Sequence, residues 1–201
     1  MALNGPVTKD TTTLALGLAQ IRVGVSATNI ASLEPVLTAS ESIGALTESR
    51  FESTVEWWNH ESGFPLLEDN VVALREKASL SGTMEEITPL NLAIGRGNDP
   101  TTVPQSGFAA HSGEIKLGDR AVTTATPDYV RVEARYVYPD GTSILDIIFP
   151  RAQVTSALEL DFQKEDNAKV PVTFEAKRAD SAVTGGHAVW DDRPLGWLKW
   201  S

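Results

Sequence analysis

The sequence predicts a mostly β fold: a sandwich or barrel of about eight strands with one short flanking helix. Three observations lead there. Apolar residues recur at every second position through several stretches, the spacing of a strand with one buried face. Clusters of Gly, Pro, Asp and Asn separate those stretches. Only one short segment carries both a helix start and a helix stop signal. The chain has 201 residues, 41% hydrophobic and 22% charged. That is an ordinary globular composition, enough for one sizeable domain over residues 1–201 without requiring two.

Leu14–Val25 reads as the first strand, and Ala27–Ala45, mostly small or polar, as an extended arm or loop. Glu48–Trp57 then alternates: Phe51, Val55 and Trp57 point one way, Glu48, Arg50, Glu52 and Glu56 the other. After a link at His60–Asn70, Val72, Leu74, Ala78 and Leu80 share one face of a second long strand, Val71–Met84. Arg75, Lys77 and Ser79 share its other face. Two long amphipathic strands with a connection of this length predict an extended hairpin, with acids on one polar face opposite bases on the other.

The predicted helix follows. Thr88 suits the N-cap, Pro89 the first helical position and Gly95 the residue past the end, with Leu90, Ala93 and Ile94 as the buried stripe. Gly95–Asp119 reads as a long loop, of the kind usually functional or ordered by a partner. Tyr129–Tyr138 and Ser143–Phe149 flank Pro139-Asp140-Gly141-Thr142, a hairpin turn. Val130, Val132, Ala134 and Tyr136 oppose Arg131, Glu133 and Arg135. Leu158–Ala179 reads as two further strands around the charged turn Lys164–Asn167. The tail at residues 181–201 holds three of the five tryptophans, Trp190, Trp197 and Trp200. It is expected to dock on a neighbouring surface, so that removing it weakens docking more than folding.

Composition excludes several functions. A net charge of −10 and a pI near 4.7 argue against holding nucleic acid through its phosphates. They leave open a surface that DNA passes without binding. There are no cysteines, hence no disulfide framework or thiolate metal site. The opening residues lack a basic segment followed by an apolar core, and the longest apolar stretch is too short to span a bilayer. A soluble chain made in the cytoplasm, with no membrane partner, is expected.

No catalytic constellation is visible. His60, His111 and His187 are widely spaced, and His60-Glu61 is followed by Phe64 where a zinc-protease motif needs its second histidine. No nucleophile elbow or phosphate loop occurs; Gly95-Arg96-Gly97 follows a helix instead of opening one. Neither enzymatic activity nor a metal or cofactor is expected. Exposed tryptophans on a β-sandwich could stack on sugar rings, the reading of a secreted carbohydrate-binding module. Trp57, on the apolar side of its strand, with Trp58, Trp197 and Trp200, fits a subunit interface better.

Four blocks carry a family resemblance: Leu16–Ile30, Ser42–Asn70 (SIGALTESRFESTVEWWNHESGFPLLEDN), Glu85–Gly97 (EEITPLNLAIGRG) and Leu158–Lys177 (LELDFQKEDNAKVPVTFEAK). In this order they resemble the major tail tube proteins of long-tailed bacteriophages, over about four-fifths of the chain. The resemblance implies a β-sandwich or barrel with a short helix, six copies per ring, and long hairpins joining into a continuous barrel around a lumen. It also implies rings stacked into a tube that conducts the genome during ejection, and partners such as the tape measure, terminator and tip proteins. The site would be the virion tail, assembled in the host cytoplasm. A tail terminator of related fold is the nearest alternative. If the hairpins line the lumen, their polar faces meet DNA: Glu48, Arg50, Glu52, Glu56, Arg75, Lys77, Arg131, Glu133, Arg135 and Asp146. Five acids and five bases make that lining close to neutral.

Overall fold

The computed structural model describes residues 17, 19–62, 67–98, 100, 115, 117, 128–160 and 168–201. In chain order the elements are β1 (Gln20–Val25), α1 (Ser26–Asn29), β2 (Leu46–Ser62), β3 (Leu67–Met84), α2 (Pro89–Gly95), β4 (Val130–Val137), β5 (Ile144–Val154), β6 (Val170–Ala176) and β7 (Trp197–Trp200). All seven strands join one antiparallel sheet in the order β1-β4-β5-β6-β3-β2, with β7 pairing β5 off that path. The all-β class with a short flanking helix is therefore realised as a single continuous sheet.

Alternation along the strands is what lets that sheet curl around a core. On β6 every second residue is buried, including Val172 (1% exposed) and Phe174 (0%). The two ends of the sheet approach each other. The Ile43 amide donates to the Ile21 carbonyl at 3.1 Å, Arg22 forms a β-bridge with Ser42, and the Ala19 amide donates to Ser49 Oγ at 3.2 Å. Phe51 of β2 meets Phe149 of β5 with ring centroids 6.2 Å apart. Between the two halves lie Ile21, Val23, Leu80, Met84, Val130, Val132, Phe149, Val172 and Phe174, with Ala93 and Ile94 of α2 packed against them.

Helix α2 starts where the sequence predicts. Thr88 is the N-cap, its hydroxyl accepting from the Asn91 amide at 3.1 Å, and Leu90, Ala93 and Ile94 are buried. Its stop lies two residues later than expected. Gly95 is the last helical residue, and Gly97 (φ 79°) is the left-handed residue that ends it. The Gly97 amide donates to the Ile94 carbonyl at 2.7 Å and the Asn98 amide to the Ala93 carbonyl at 2.8 Å, the paired bonds of a Schellman end.

Other expectations are revised. The link predicted at His60–Asn70 is largely strand, since β2 and β3 pair out to Ser62↔Leu67. Residues 157–160 lie outside any strand, although Leu158 and Leu160 pack against the core. The rest of that predicted strand, its turn at Lys164–Asn167, most of the Gly95–Asp119 loop and the start of the first predicted strand fall outside the described residues.

The β4–β5 turn is held by Asp140. Its carboxylate accepts from the Thr142 amide at 3.0 Å, the Ser143 amide at 2.9 Å and the Ser143 hydroxyl at 2.5 Å. The Ser143 hydroxyl, then the two amides, lower the Asp140 carboxyl from 3.8 to about 2. Because the folded value is depressed, the stabilisation is complete above the ordinary carboxylate range and is lost as pH falls through about 2. Hydrogen exchange at Thr142 and Ser143 is expected to stay slow relative to unstructured amides at pH 4 and to lose that protection near pH 2. Asp140→Ala should lose it at every pH; protection unaffected by the substitution would dismiss the carboxylate's role.

The tail is built into the fold, which its reading as a docking segment more dispensable to folding did not anticipate. Trp190 is 0% exposed, in a second cluster with Ile30, Ile148 and Ala179, and its Nε1–H donates to the Ile30 carbonyl at 2.6 Å. Gly196 (φ 123°) then turns the chain into β7; a Cβ there would lie 2.0 Å from the Ile148 carbonyl oxygen. β7 pairs with β5 from Ile148↔Trp197 to Leu145↔Trp200. Removing residues 181–201 is therefore expected to impair folding itself, and Trp190→Ala alone to cost about 3–5 kcal/mol. Chemical denaturation measures this; a loss below about 1 kcal/mol would mean the tail is dispensable to the fold.

Candidate assembly surface

The β2–β3 hairpin is folded into the subunit only at its base. Ala78, Leu80 and Met84 are buried there, and Phe51 is half-buried. Beyond Ser53 and Lys77 both strands are exposed on both faces as far as His60 and Asn70. At about 3.3 Å per residue, the part past Ser53 reaches roughly 30 Å. β2 is an edge strand, and β3 pairs with β6 only over Ser79–Met84. An isolated two-stranded ribbon is marginal in water, and its edges are templates for further pairing.

Register assigns the faces, because residues directly opposite in an antiparallel ladder share one. Arg50↔Ser81, Glu52↔Ser79, Thr54↔Lys77 and Glu56↔Arg75 put Glu48, Arg50, Glu52, Glu56, Arg75 and Lys77 together on one exposed face. Three acids and three bases make it neutral. Arg50 and Glu52 pair at 2.9 Å with their side chains 74% and 50% exposed, so the pair is worth at most about 1 kcal/mol and serves mainly charge balance. The opposite face carries Phe51, Val55 and Trp57.

A bulge divides the hairpin. Glu56 pairs with Arg75 but Trp57 with Ala73, leaving Leu74 as the extra residue. Past it, Trp57–His60 and Asn70–Leu74 contain no Asp, Glu, Lys or Arg. Trp57 is 60%, Trp58 48% and Leu74 61% exposed, with Val71 and Val72 beside them. Trp58 lies on the face that was charged below the bulge, against the His60 ring at 5.4 Å. The stretch just past the bulge thus exposes apolar side chains on both faces, a concentration of hydrophobic area that marks an association site; the last pairs beyond it include Glu61 opposite Glu68.

The remaining four residues predicted to face a lumen lie elsewhere. Arg131 is 0%, Glu133 3% and Asp146 5% exposed, so they present no surface to a channel. Arg131 donates to Glu133 Oε1 at 2.7 Å and to the carbonyls of Asn29, Ser32 and Glu34, each at 2.8 Å. Glu133 accepts from the Val36 and Leu37 amides at 3.0 Å. This buried pair clamps the segment predicted to be an extended arm or loop onto the outer face of β4. Arg135 and Asp146 form a bidentate pair at 2.8 and 3.0 Å, which raises the Arg135 pKa further. The sheet's outer face is therefore covered over β4 and the start of β5.

Of the four tryptophans assigned to an interface, Trp57 and Trp58 are on the distal hairpin and Trp200, 63% exposed, is on β7. Trp197 is half-buried, with the Arg193 guanidinium over its ring at 4.7 Å. Sequence reasoning missed Trp190 and the Arg131–Glu133 clamp. The clamp's only signal was two opposite charges at alternate positions of a strand, which an exposed face shows equally. Among the described residues no three His, Asp or Glu side chains converge as a metal site, and no helix is long and apolar enough to cross a membrane.

No protein-family model and no curated protein matches the chain. Solved structures of tube and tail assemblies are among those it is similar to. One is the sheath-tube complex of an extracellular contractile injection system in its extended state, at 10% identity over 85% of this chain and 96% of that one, with a TM-score of 0.42. Another is the tube-terminating cap of the anti-feeding prophage, at 10% identity over 89% and 91%, TM-score 0.41. A third is the tail of an empty gene transfer agent particle, at 14% identity over 80% and 92%, TM-score 0.37. Likeness at TM-scores this low carries no functional weight by itself.

Proposed function

We propose that the chain is a structural subunit of a phage-type tail tube. Copies join through their hairpins into a ring of six, and rings stack around a lumen that conducts the genome. The observation that carries this reading is the projecting hairpin, which exposes Trp57, Trp58 and Leu74 on its two faces just past the bulge and whose strands present pairing edges. Placed side by side around a ring, such hairpins remove both liabilities: neighbours cover the apolar area, and closure abolishes the edges. Contacts of one patch with a different patch close into rings, or continue as filaments where they do not close.

The neutral face with Glu48, Arg50, Glu52, Glu56, Arg75 and Lys77 is the one assigned to the lumen. A lining without net positive charge has no counterion-releasing hold on a polyanion, so DNA slides past it. The chain's net charge of −10 then resides elsewhere on the subunit. Such a subunit belongs in a virion tail assembled in the host cytoplasm, beside tape measure, terminator and tip proteins. It performs no catalysis and requires no cofactor. Native mass spectrometry across a concentration series tests the ring: multiples of six chains support it. A monomer at every concentration, with tryptophan fluorescence quenched by sugars, would replace it with a carbohydrate-binding module. A single ring that never extends would point to a terminator.

A further inference from the structure

The β2–β3 hairpin is neutral on one face and yet carries a net negative charge. Residues 46–84 hold seven acids and three bases, a net charge of −4. All three bases, Arg50, Arg75 and Lys77, are on the face where Glu48, Glu52 and Glu56 match them. The surplus is Glu61, Glu68, Asp69 and Glu76. Register sets Glu61 directly opposite Glu68, and Glu76 opposite Val55 on the face away from the bases. Like charges directly opposite in a ladder oppose its pairing.

Nothing on the apolar stretch of a second hairpin offsets these acids, because no Lys or Arg occurs from Trp57 through Leu74. Hairpins set side by side are therefore drawn together by Trp57, Trp58 and Leu74 and by strand edges, while their charge pushes them apart. The distance decides how strongly. Neighbouring strands lie about 4.8 Å apart, so two-stranded ribbons repeat at about 10 Å. Salt screens over the same range, with a screening length of about 30 Å at 0.01 M, 10 Å at 0.1 M and 3 Å at 1 M. Repulsion between adjacent hairpins is thus nearly whole at low ionic strength and mostly gone at a few tenths molar. The net charge of −10 on each chain acts in the same direction.

We infer that ionic strength gates the association of copies through the hairpin: low salt holds the subunits apart and higher salt lets them join. The inference rests on the reading that copies join through their hairpins, and adds what controls the joining. Its sign is diagnostic. Contacts that pair acids of one copy with bases of the next weaken as salt rises. Apolar contacts between like-charged ribbons tighten.

Sedimentation velocity across a protein concentration series, at about 0.02 M and about 0.3 M NaCl, reads the effect. The concentration at which half the chains are assembled is expected to fall at least about tenfold at the higher salt, since several repulsions act in each contact. Glu61→Gln combined with Glu68→Gln should lower that concentration at 0.02 M, leave it unchanged at 0.3 M, and so flatten the salt dependence. Assembly of the unmodified chain that weakens or stays constant with salt would overturn the inference and leave the ring reading standing. A variant with the full salt dependence would also overturn it, placing the repulsion outside the hairpin. Monomers of both chains at every salt and concentration would remove the ring reading, and this inference with it.

Discussion

Replacing Trp57, Trp58 and Leu74 together with Ser is expected to leave the subunit folded and to stop its assembly. All three side chains are about half exposed or more in the single subunit, so their loss removes little from the folded chain, within about 0.5 kcal/mol. In the proposed assembly the same side chains become buried, each contributing about 1.5–3 kcal/mol. Losing three weakens each contact by at least about 4 kcal/mol, roughly a thousandfold in affinity. Thermal unfolding should be unchanged while sedimentation shows only monomer. A variant that assembles as the unmodified chain does would remove the hairpin from the interface.

The second large effect is internal. Arg131→Met is expected to cost about 3–5 kcal/mol, because Glu133 is left buried without its cation and three carbonyls of the 29–34 segment lose their donor. Total stability of such domains is about 5–15 kcal/mol, so a large part of it goes. The Val36 and Leu37 amides, bonded to Glu133, should exchange faster. Adding Glu133→Leu should recover only part of the loss, since the orphaned carbonyls remain. A cost below about 1 kcal/mol for Arg131→Met would mean that the clamp does not hold the segment.

Period-2 alternation made the strands readable, and cap chemistry made α2 readable. Thr88, Pro89 and the Leu90/Ala93/Ile94 stripe were legible because each signal is local. The hairpin was legible for the same reason, but its length was not. His60–Asn70 lacks alternation because Glu61-Ser62 and Glu68-Asp69-Asn70 put polar residues at neighbouring positions and Gly63 and Pro65 signal a turn. Leu158 and Leu160 alternate with Glu159 yet join no strand, since a segment can pack one side on a core without laddering. The candidate site divided along the same line. Glu48 to Lys77 on the hairpin share one face because adjacent strands fix it. Arg131, Glu133 and Asp146 alternate equally well, but they are covered by the segment at 29–37 and the folded-back tail. Long-range cover of that kind leaves no trace in spacing, and Trp190, 160 residues from its Ile30 partner, has the same history.

The central claim is that this hairpin builds a hollow polymer. Negative-stain electron microscopy of the purified chain across a concentration series tests it most directly. Rings with six-fold symmetry, lengthening into hollow tubes as concentration rises, are the predicted result. Solid fibrils, or monodisperse monomers at every concentration, would contradict it.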